Sequence, residues 1–271
     1  MGFMSEYISR RLSAADLESE LMNLIAAYNK HRKTFAIVYV AAIGKPIPDI
    51  ALSQDDYYLI HDLLRNINSP NVDVYIETPG GSGEAAEEIA WCLHDKFGQV
   101  SFVVSGEAKS AGTILVFSGD EILMTETGSL GPIDAQVKIG RSIVSASDYL
   151  EWTYDKRNEA EKVGRLNPFD ATMVAQISPG ELRDVYHALK FAEDLFIKWL
   201  PNHKFKNWTV TEKRKAIVTQ LMKEERAQLI AKELTNHAKW RSHGRSIKAG
   251  DLNDIGLQVI RVEDDAKLSD I

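Results

Sequence analysis

Two features of this 271-residue chain predict an α/β fold with an α-rich C-terminal part. Short apolar runs at 34–42, 72–77, 99–104 and 121–124 are separated by stretches of ten or so residues with helical spacing. That alternation is the pattern of parallel β-α-β units. Beyond residue 145 the apolar residues recur mostly at helical spacing, with helices expected near 147–163, 179–200 and 211–236.

The elements follow in order. Ser13 and Asp16 form an S-x-x-D cap that opens a helix to about His31, with Leu17, Leu21, Leu24 and Ile25 on one face. Thr34–Ala42 reads as a buried strand. Ser53 and Asp56 repeat the capping pattern and start a helix to about Ile67, which Asn68-Ser-Pro-Asn71 breaks. Val72–Glu77 is the next strand, followed by the turn Thr78–Gly83 and a helix over Glu84–Phe97. Gln99–Val104 is a strand, Ser110–Phe117 a short apolar helix and Glu121–Met124 another strand. A helix over 247–255 and a strand over Gly256–Val262 close the chain. Pro168, Pro179 and Pro201 read as helix boundaries, so one domain over 1–271 is expected, with its core at about 34–136 and a helical extension at about 145–262.

Composition narrows the function. With 44% apolar and 26% charged residues, a sizeable core is expected and wholesale disorder is excluded. The longest apolar run, Phe35–Ile43, is nine residues, far short of a membrane span. The first residues lack a secretory apolar stretch, and Glu6 breaks the myristoylation pattern. One cysteine, Cys92, excludes a disulfide scaffold and a thiolate zinc site. A cytoplasmic location follows as the expectation. The net charge of −7 hides a split: residues 198–248 hold thirteen Lys/Arg against four Asp/Glu, a formal +9, leaving −16 elsewhere. Packing of this segment against the acidic body, its own or a neighbour's, is expected in preference to nucleic-acid binding.

Two strand-to-helix junctions carry chemistry. In open α/β sheets, ligands collect where the carboxyl ends of strands meet helix N-termini. In Thr78-Pro-Gly-Gly-Ser-Gly83, Pro79 sets a dihedral, and Gly80 and Gly81 allow conformations closed to other residues. Exposed N–H groups at a helix start then form an anion-binding concavity. The turn is no phosphate loop, because neither G-x-x-x-x-G-K-[ST] nor G-x-G-x-x-G is present. In the second junction, Ser105–Gly112, Ser110 opens an apolar helix directly after a buried strand. Alone, it reads equally as an N-cap or as a nucleophile. Beside a glycine-rich donor loop on the preceding strand the nucleophile gains, with Gly81 and Ala111 N–H groups as an oxyanion hole.

The segments IETPGGSGEAAEEIA (76–90), VVSGEAKSAGTILVFSGDEILM (103–124) and SLGPIDAQ (129–136) resemble the ClpP/crotonase superfamily. Within it they are most similar to the serine dehydrogenase proteinases, relatives of signal peptide peptidase A; Trp240–His243, Ile247 and Gly256–Val259 are similar to that branch's closing segment. The resemblance covers roughly 15–262. It implies a spiral of β-α-β units, a serine peptidase acting on peptide or protein substrates through an acyl-enzyme, and a homo-oligomer. Ser110 takes the nucleophile's place in it, with Gly81 and Ala111 as the oxyanion donors. Many members carry an N-terminal membrane anchor, and this sequence contains no membrane span.

The base is less evident. ClpP uses a histidine downstream of its serine, but the matching stretch here, Pro132–Gln136, has none. Signal peptide peptidase A uses a buried lysine instead; Lys162, 52 residues after Ser110, is the preferred counterpart, with Lys156 and Lys138 as rivals. His243 is the other candidate, and Asp134 either orients a base or pins its loop. The remaining histidines, His187 among them, show no paired spacing, and neither a cofactor nor a metal is expected. A crotonase-type enzyme on acyl-CoA thioesters, with Glu84 and Glu107 flanking the loops, and an inactive scaffold of the same fold are the alternatives.

Overall fold

The structure, a computed structural model, describes residues 3–133, 135–139 and 141–271. The strands are β1 (Phe35–Val40), β2 (Asn71–Glu77), β3 (Gln99–Val104), β4 (Glu107–Ala108), β5 (Glu121–Met124), β6 (Ser129–Leu130), β7 (Gln136–Ile139), β8 (Ser142–Ser145) and β9 (Ile260–Arg261). The helices are α1 (Phe3–Arg10), α2 (Ala14–Arg32), α3 (Gln54–Leu64), α4 (Gly83–Lys96), α5 (Ala111–Val116), α6 (Ala146–Val163), α7 (Pro168–Val174), α8 (Pro179–Asn202), α9 (Gln220–Leu234), α10 (His237–Trp240), α11 (Ala249–Asp254) and α12 (Ala266–Ser269). The main sheet runs β1-β2-β3-β5-β9 with every pairing parallel. β4 and β6 form a small parallel pair, and β7 and β8 an antiparallel hairpin.

Alternation along the strands assigns the two faces. Val72, Val74, Ile76, Val100, Phe102, Val104, Ile122 and Met124 enter the main core, with α3, α4, α5, α8 and α9. On the opposite face Val103 and Leu123 meet Val262 and Leu268, flanked by Tyr28 and Tyr75. The buried Asp73 lies on that second face too, held by Tyr28 Oη at 2.7 Å, Arg32 Nε at 2.9 Å and Thr34 Oγ1 at 3.1 Å. Arg32 also reaches Glu121 at 2.7 Å, so α2 is anchored by a charged network. Its Leu17 and Leu21 stay 46% and 48% exposed.

Both capping boxes form, at Ser13/Asp16 and Ser53/Asp56. Other expectations need correction. The run at 34–42 supplies an edge strand, not a buried one, and Val38 and Val40 face solvent. The helix expected over 211–236 is confined to Gln220–Leu234, because Thr219 caps a later start and Val210 bridges Ile217 before it. Only Ile260–Arg261 of 256–262 joins the sheet, after a left-handed turn at Gly256 (φ 81°). Pro201 lies inside the last turn of α8 rather than past its end. The basic segment packs on its own acidic body through Lys198–Glu87 at 3.1 Å and Lys206–Asp120 at 2.7 Å.

One packing contact has a pH signature. His94 on α4 and His203 just past α8 stack with ring centroids 3.6 Å apart. His94 Nε2 bonds the Ser118 carbonyl at 2.7 Å, and Lys206 and Asp120 are the charged neighbours. Burial, then the facing His94, pushes His203 down to about 4, and burial also lowers His94. In the unfolded chain both accept a proton near pH 6.5, so that state binds more protons below it. Stability is therefore expected to be full above pH 6.5 and to fall as pH drops toward 4. The loss is about 2 kcal/mol, below the full shift because the His203 side chain is 24% exposed. Urea titrations at pH 7.5 and 4.5 check this, and the difference should shrink in His203→Gln.

Candidate active site

The two junctions are zipped together before any side chain is considered. The Thr78 N–H donates to the Glu107 carbonyl at 2.8 Å and the Lys109 N–H to the Thr78 carbonyl at 3.0 Å. This bridge draws the end of β2 against β4. On the far side, the Leu52 N–H donates to the Gly80 carbonyl and the Ser82 N–H to the Leu52 carbonyl, both at 2.8 Å. In a parallel bridge of that kind the residue between, Gly81, turns its own N–H away from Leu52. A Cβ on Gly80 (φ 100°) would lie 2.5 Å from the Ser110 Cβ and 2.6 Å from the Lys109 carbonyl. Glycine there lets the serine loop lie directly on the turn.

Ser110 occupies the N-cap position of α5 with φ 51° and ψ −120°, a region L-residues rarely enter. Its hydroxyl makes no cap bond. An ordinary capping serine is extended and bonds the N2 or N3 amide. The four other serine N-caps whose side chain accepts a cap bond, on α2, α4, α6 and α8, are extended in that way. Ser110 therefore differs from them in both backbone and bonding. The loop beneath it is held by Thr113, whose Oγ1 donates to the Ala108 carbonyl at 2.7 Å and accepts from the Gly131 N–H at 2.9 Å.

A cleft of about 550 Å³ opens over this junction. It brings together Gly81, Ser110 and Ala111 with Glu84 of α4. One face of α8, Asp184, His187, Ala188, Phe191 and Ala192, forms another wall. Among the described residues, neither the Gly81 nor the Ala111 N–H is taken by another group. Gly81 and Ala111 line the same cleft as Ser110, which stands at the N-terminal, positive end of α5.

The other expected site residues lie elsewhere. Lys162 is exposed in the last turn of α6, and His243 is half-buried between α10 and α11; neither lines the cleft. Lys156 is held by Asp170 at 2.7 Å and Glu159 at 2.9 Å, and those bonds raise it well above the usual lysine range. Lys138 is exposed on β7, two residues beyond the cleft-lining Gln136. Asp134 lies outside the described residues. Glu107 is in β4, away from the cleft lining.

Two residues escaped sequence reasoning. His187 enters through α8, 77 positions after Ser110, with no local pattern to mark it. Lys109, beside the serine, is buried (6% exposed) and points the other way. Its Nζ donates to Ser129 Oγ at 3.3 Å, the Leu130 carbonyl at 3.0 Å, the Arg245 carbonyl at 3.3 Å and Ser246 Oγ at 3.1 Å. Burial lowers its pKa, and the neutral oxygens around it fix the back of the serine loop. No group of His, Cys, Asp and Glu fit to hold a metal occurs among the described residues.

Parallel sheet, glycine turn and serine loop define a ClpP-like α/β protein. The chain belongs to the ClpP-like SDH-type serine proteinases, whose family model matches residues 27–167, just over half of it. It is 27% identical over 218 residues to Uncharacterized protein MJ1495 of Methanocaldococcus jannaschii, covering 80% of this chain and 61% of that protein. It is 29% identical over 98 residues to Uncharacterized protein MJ0137 of the same organism, covering 36% and 34%. The chain thus spans less than two thirds of the length of these curated relatives. Among solved structures it is similar to an alanine variant of the 1510-N membrane-bound stomatin-specific protease, with a TM-score of 0.32 and 17% identity over 58% of this chain and 81% of that one. A second variant of that protease, in complex with a substrate peptide, gives 0.33 and 18% over 61% and 78%. No helix among the described residues is long and apolar enough to cross a membrane.

Proposed function

We propose that this chain is a serine peptidase in which Ser110 is the nucleophile and the Gly81 and Ala111 N–H groups form the oxyanion hole. One observation carries the reading: Ser110 is held in a strained conformation with its hydroxyl unspent, at a cleft edged by two unspent N–H groups. Strain of that kind costs on the order of 1–3 kcal/mol and persists where the surroundings impose it. Ser110 Oγ adds to the scissile carbonyl carbon, and the two N–H groups receive the resulting oxyanion. The amine leaves with a proton, and water then hydrolyses the acyl-enzyme and frees the serine. A fluorophosphonate probe is expected to label the protein, with the modified peptide mapping to Ser110. Failure to label at any pH from 6 to 10 overturns the reading and leaves an inactive scaffold. Acyl-CoA turnover that survives in Ser110→Ala would favour the crotonase-type alternative.

The same reading includes self-association. Leu59 and Leu63, one turn apart on α3, are 70% and 57% exposed, and Trp91 on α4 is 64% exposed. Large apolar side chains left in pairs on a helix face are typical of covered surfaces. Light scattering is expected to give a multiple of 30.3 kDa, and Leu59→Glu/Leu63→Glu to lower it.

A further inference from the structure

The cleft wall supplied by α8 contains titratable groups that the serine chemistry above leaves without a task. Asp184, His187, Ala188, Phe191 and Ala192 stand at i, i+3, i+4, i+7 and i+8, a single helix face turned to the cleft. The helix α5, which Ser110 caps, packs against α8 beside that face. The rings of Phe117 and Phe196 lie 4.9 Å apart, and Ile114 and Ala192 line the same wall. Among the described residues, His187 is the histidine that lines the same cleft as Ser110.

Its chemistry suits that place. Among the described residues, neither ring nitrogen of His187 makes a hydrogen bond, and its one ring contact is edge-on to Tyr186 at 5.9 Å. Asp184 lies one turn earlier on the same face of α8. The other charged group lining the cleft is Glu84 from α4, and neither lysine nor arginine lines it among the described residues.

We propose that His187 is the general base and acid of this site, with Asp184 as its positioning residue. The proposal rests on the reading of Ser110 as nucleophile. His187 takes the hydroxyl proton as Ser110 Oγ bonds to the carbonyl carbon, and it gives that proton to the leaving amine as the C–N bond breaks. It then takes a proton from the attacking water and returns it to Ser110 Oγ as the acyl bond is cleaved, so protons and bonds balance over the cycle.

The test is the rate of fluorophosphonate labelling at Ser110 in the full chain, from pH 5 to 9, with fluoride as leaving group. In wild type the rate is expected to rise with pH along one acid limb. His187→Ala and the near-isosteric His187→Gln should label about 10²–10⁴-fold more slowly and lose that limb. Imidazole added to His187→Ala should restore part of the rate, which a merely structural role cannot explain. Asp184→Asn should slow labelling about tenfold in the wild-type background and no further in His187→Ala, because it acts through the imidazole. His187 is exposed, so these variants are expected to melt as wild type does. The proposal is overturned if His187→Ala labels at Ser110 within about threefold of wild type, or keeps the acid limb; the serine reading then stands with another base. If wild type itself does not label, the serine reading falls and takes this proposal with it.

Discussion

Ser110→Ala is expected to lower peptide hydrolysis by at least about three orders of magnitude, because no other group in the cleft replaces a covalent nucleophile. A discontinuous assay on an unstructured protein substrate, read by mass spectrometry, measures this. Retention of more than about 1% of wild-type activity would place the nucleophile elsewhere. The same position makes a second demand on stability. Alanine inherits the φ of 51° and relieves nothing, so its melting temperature should match wild type. Glycine tolerates that conformation. The strain removed is about 1–3 kcal/mol and the added freedom of the unfolded glycine takes back about 0.5–1, leaving Ser110→Gly more stable by about 1 kcal/mol. An inactive variant more stable than its parent is the mark of a serine held for chemistry rather than for capping.

Gly81→Ala should be nearly as damaging by a different route. A Cβ there falls onto the backbone nitrogen and carbonyl of Leu52, atoms that cannot rotate away. The φ of 156° adds a smaller conformational cost. Either the turn moves, carrying its N–H out of place, or the bridge to Leu52 opens. The expected results are a loss of about 10²–10³ in rate from the displaced donor and of about 3 kcal/mol or more in stability. Gly44 and Gly164 separate the two causes. Each has positive φ, 75° and 78°, with no atom near the new Cβ, so alanine there should cost only about 1 kcal/mol and leave activity untouched. Wild-type labelling in Gly81→Ala would remove its N–H from the oxyanion hole.

What could be read from the chain alone follows from how local each feature is. β3 and β5 match their expected bounds because their apolar runs end at turn residues on both sides. The Ser13/Asp16 and Ser53/Asp56 caps were legible because both partners lie within four residues. That the turn at 78–83 and the loop at 105–112 share one cleft follows from the adjacency of β2 and β3, which consecutive β-α-β units imply. The hairpin β7–β8 is local and was missed, its four-residue strands being too short to stand out beside the longer apolar runs. Burial at the sheet edge was not legible: the apolar content of FAIVYV is the same whether one neighbour or two flank it. Nor was the α8 wall, since the spacing of Asp184, His187 and Phe191 describes a helix face and says nothing of what it covers.

The four oxygens around the Lys109 ammonium set an order of assembly. Two belong to β6, close behind the serine in sequence, and two to residues 245 and 246, more than 130 positions later. Until that late segment docks, the charge beside Ser110 keeps half its ligands missing and has reason to stay in water, which pulls the loop open. A chain ending after β6 therefore lacks two of the four oxygens that hold Lys109 and the serine loop beside it. The segment between α10 and α11 thus acts as the latch of the serine loop.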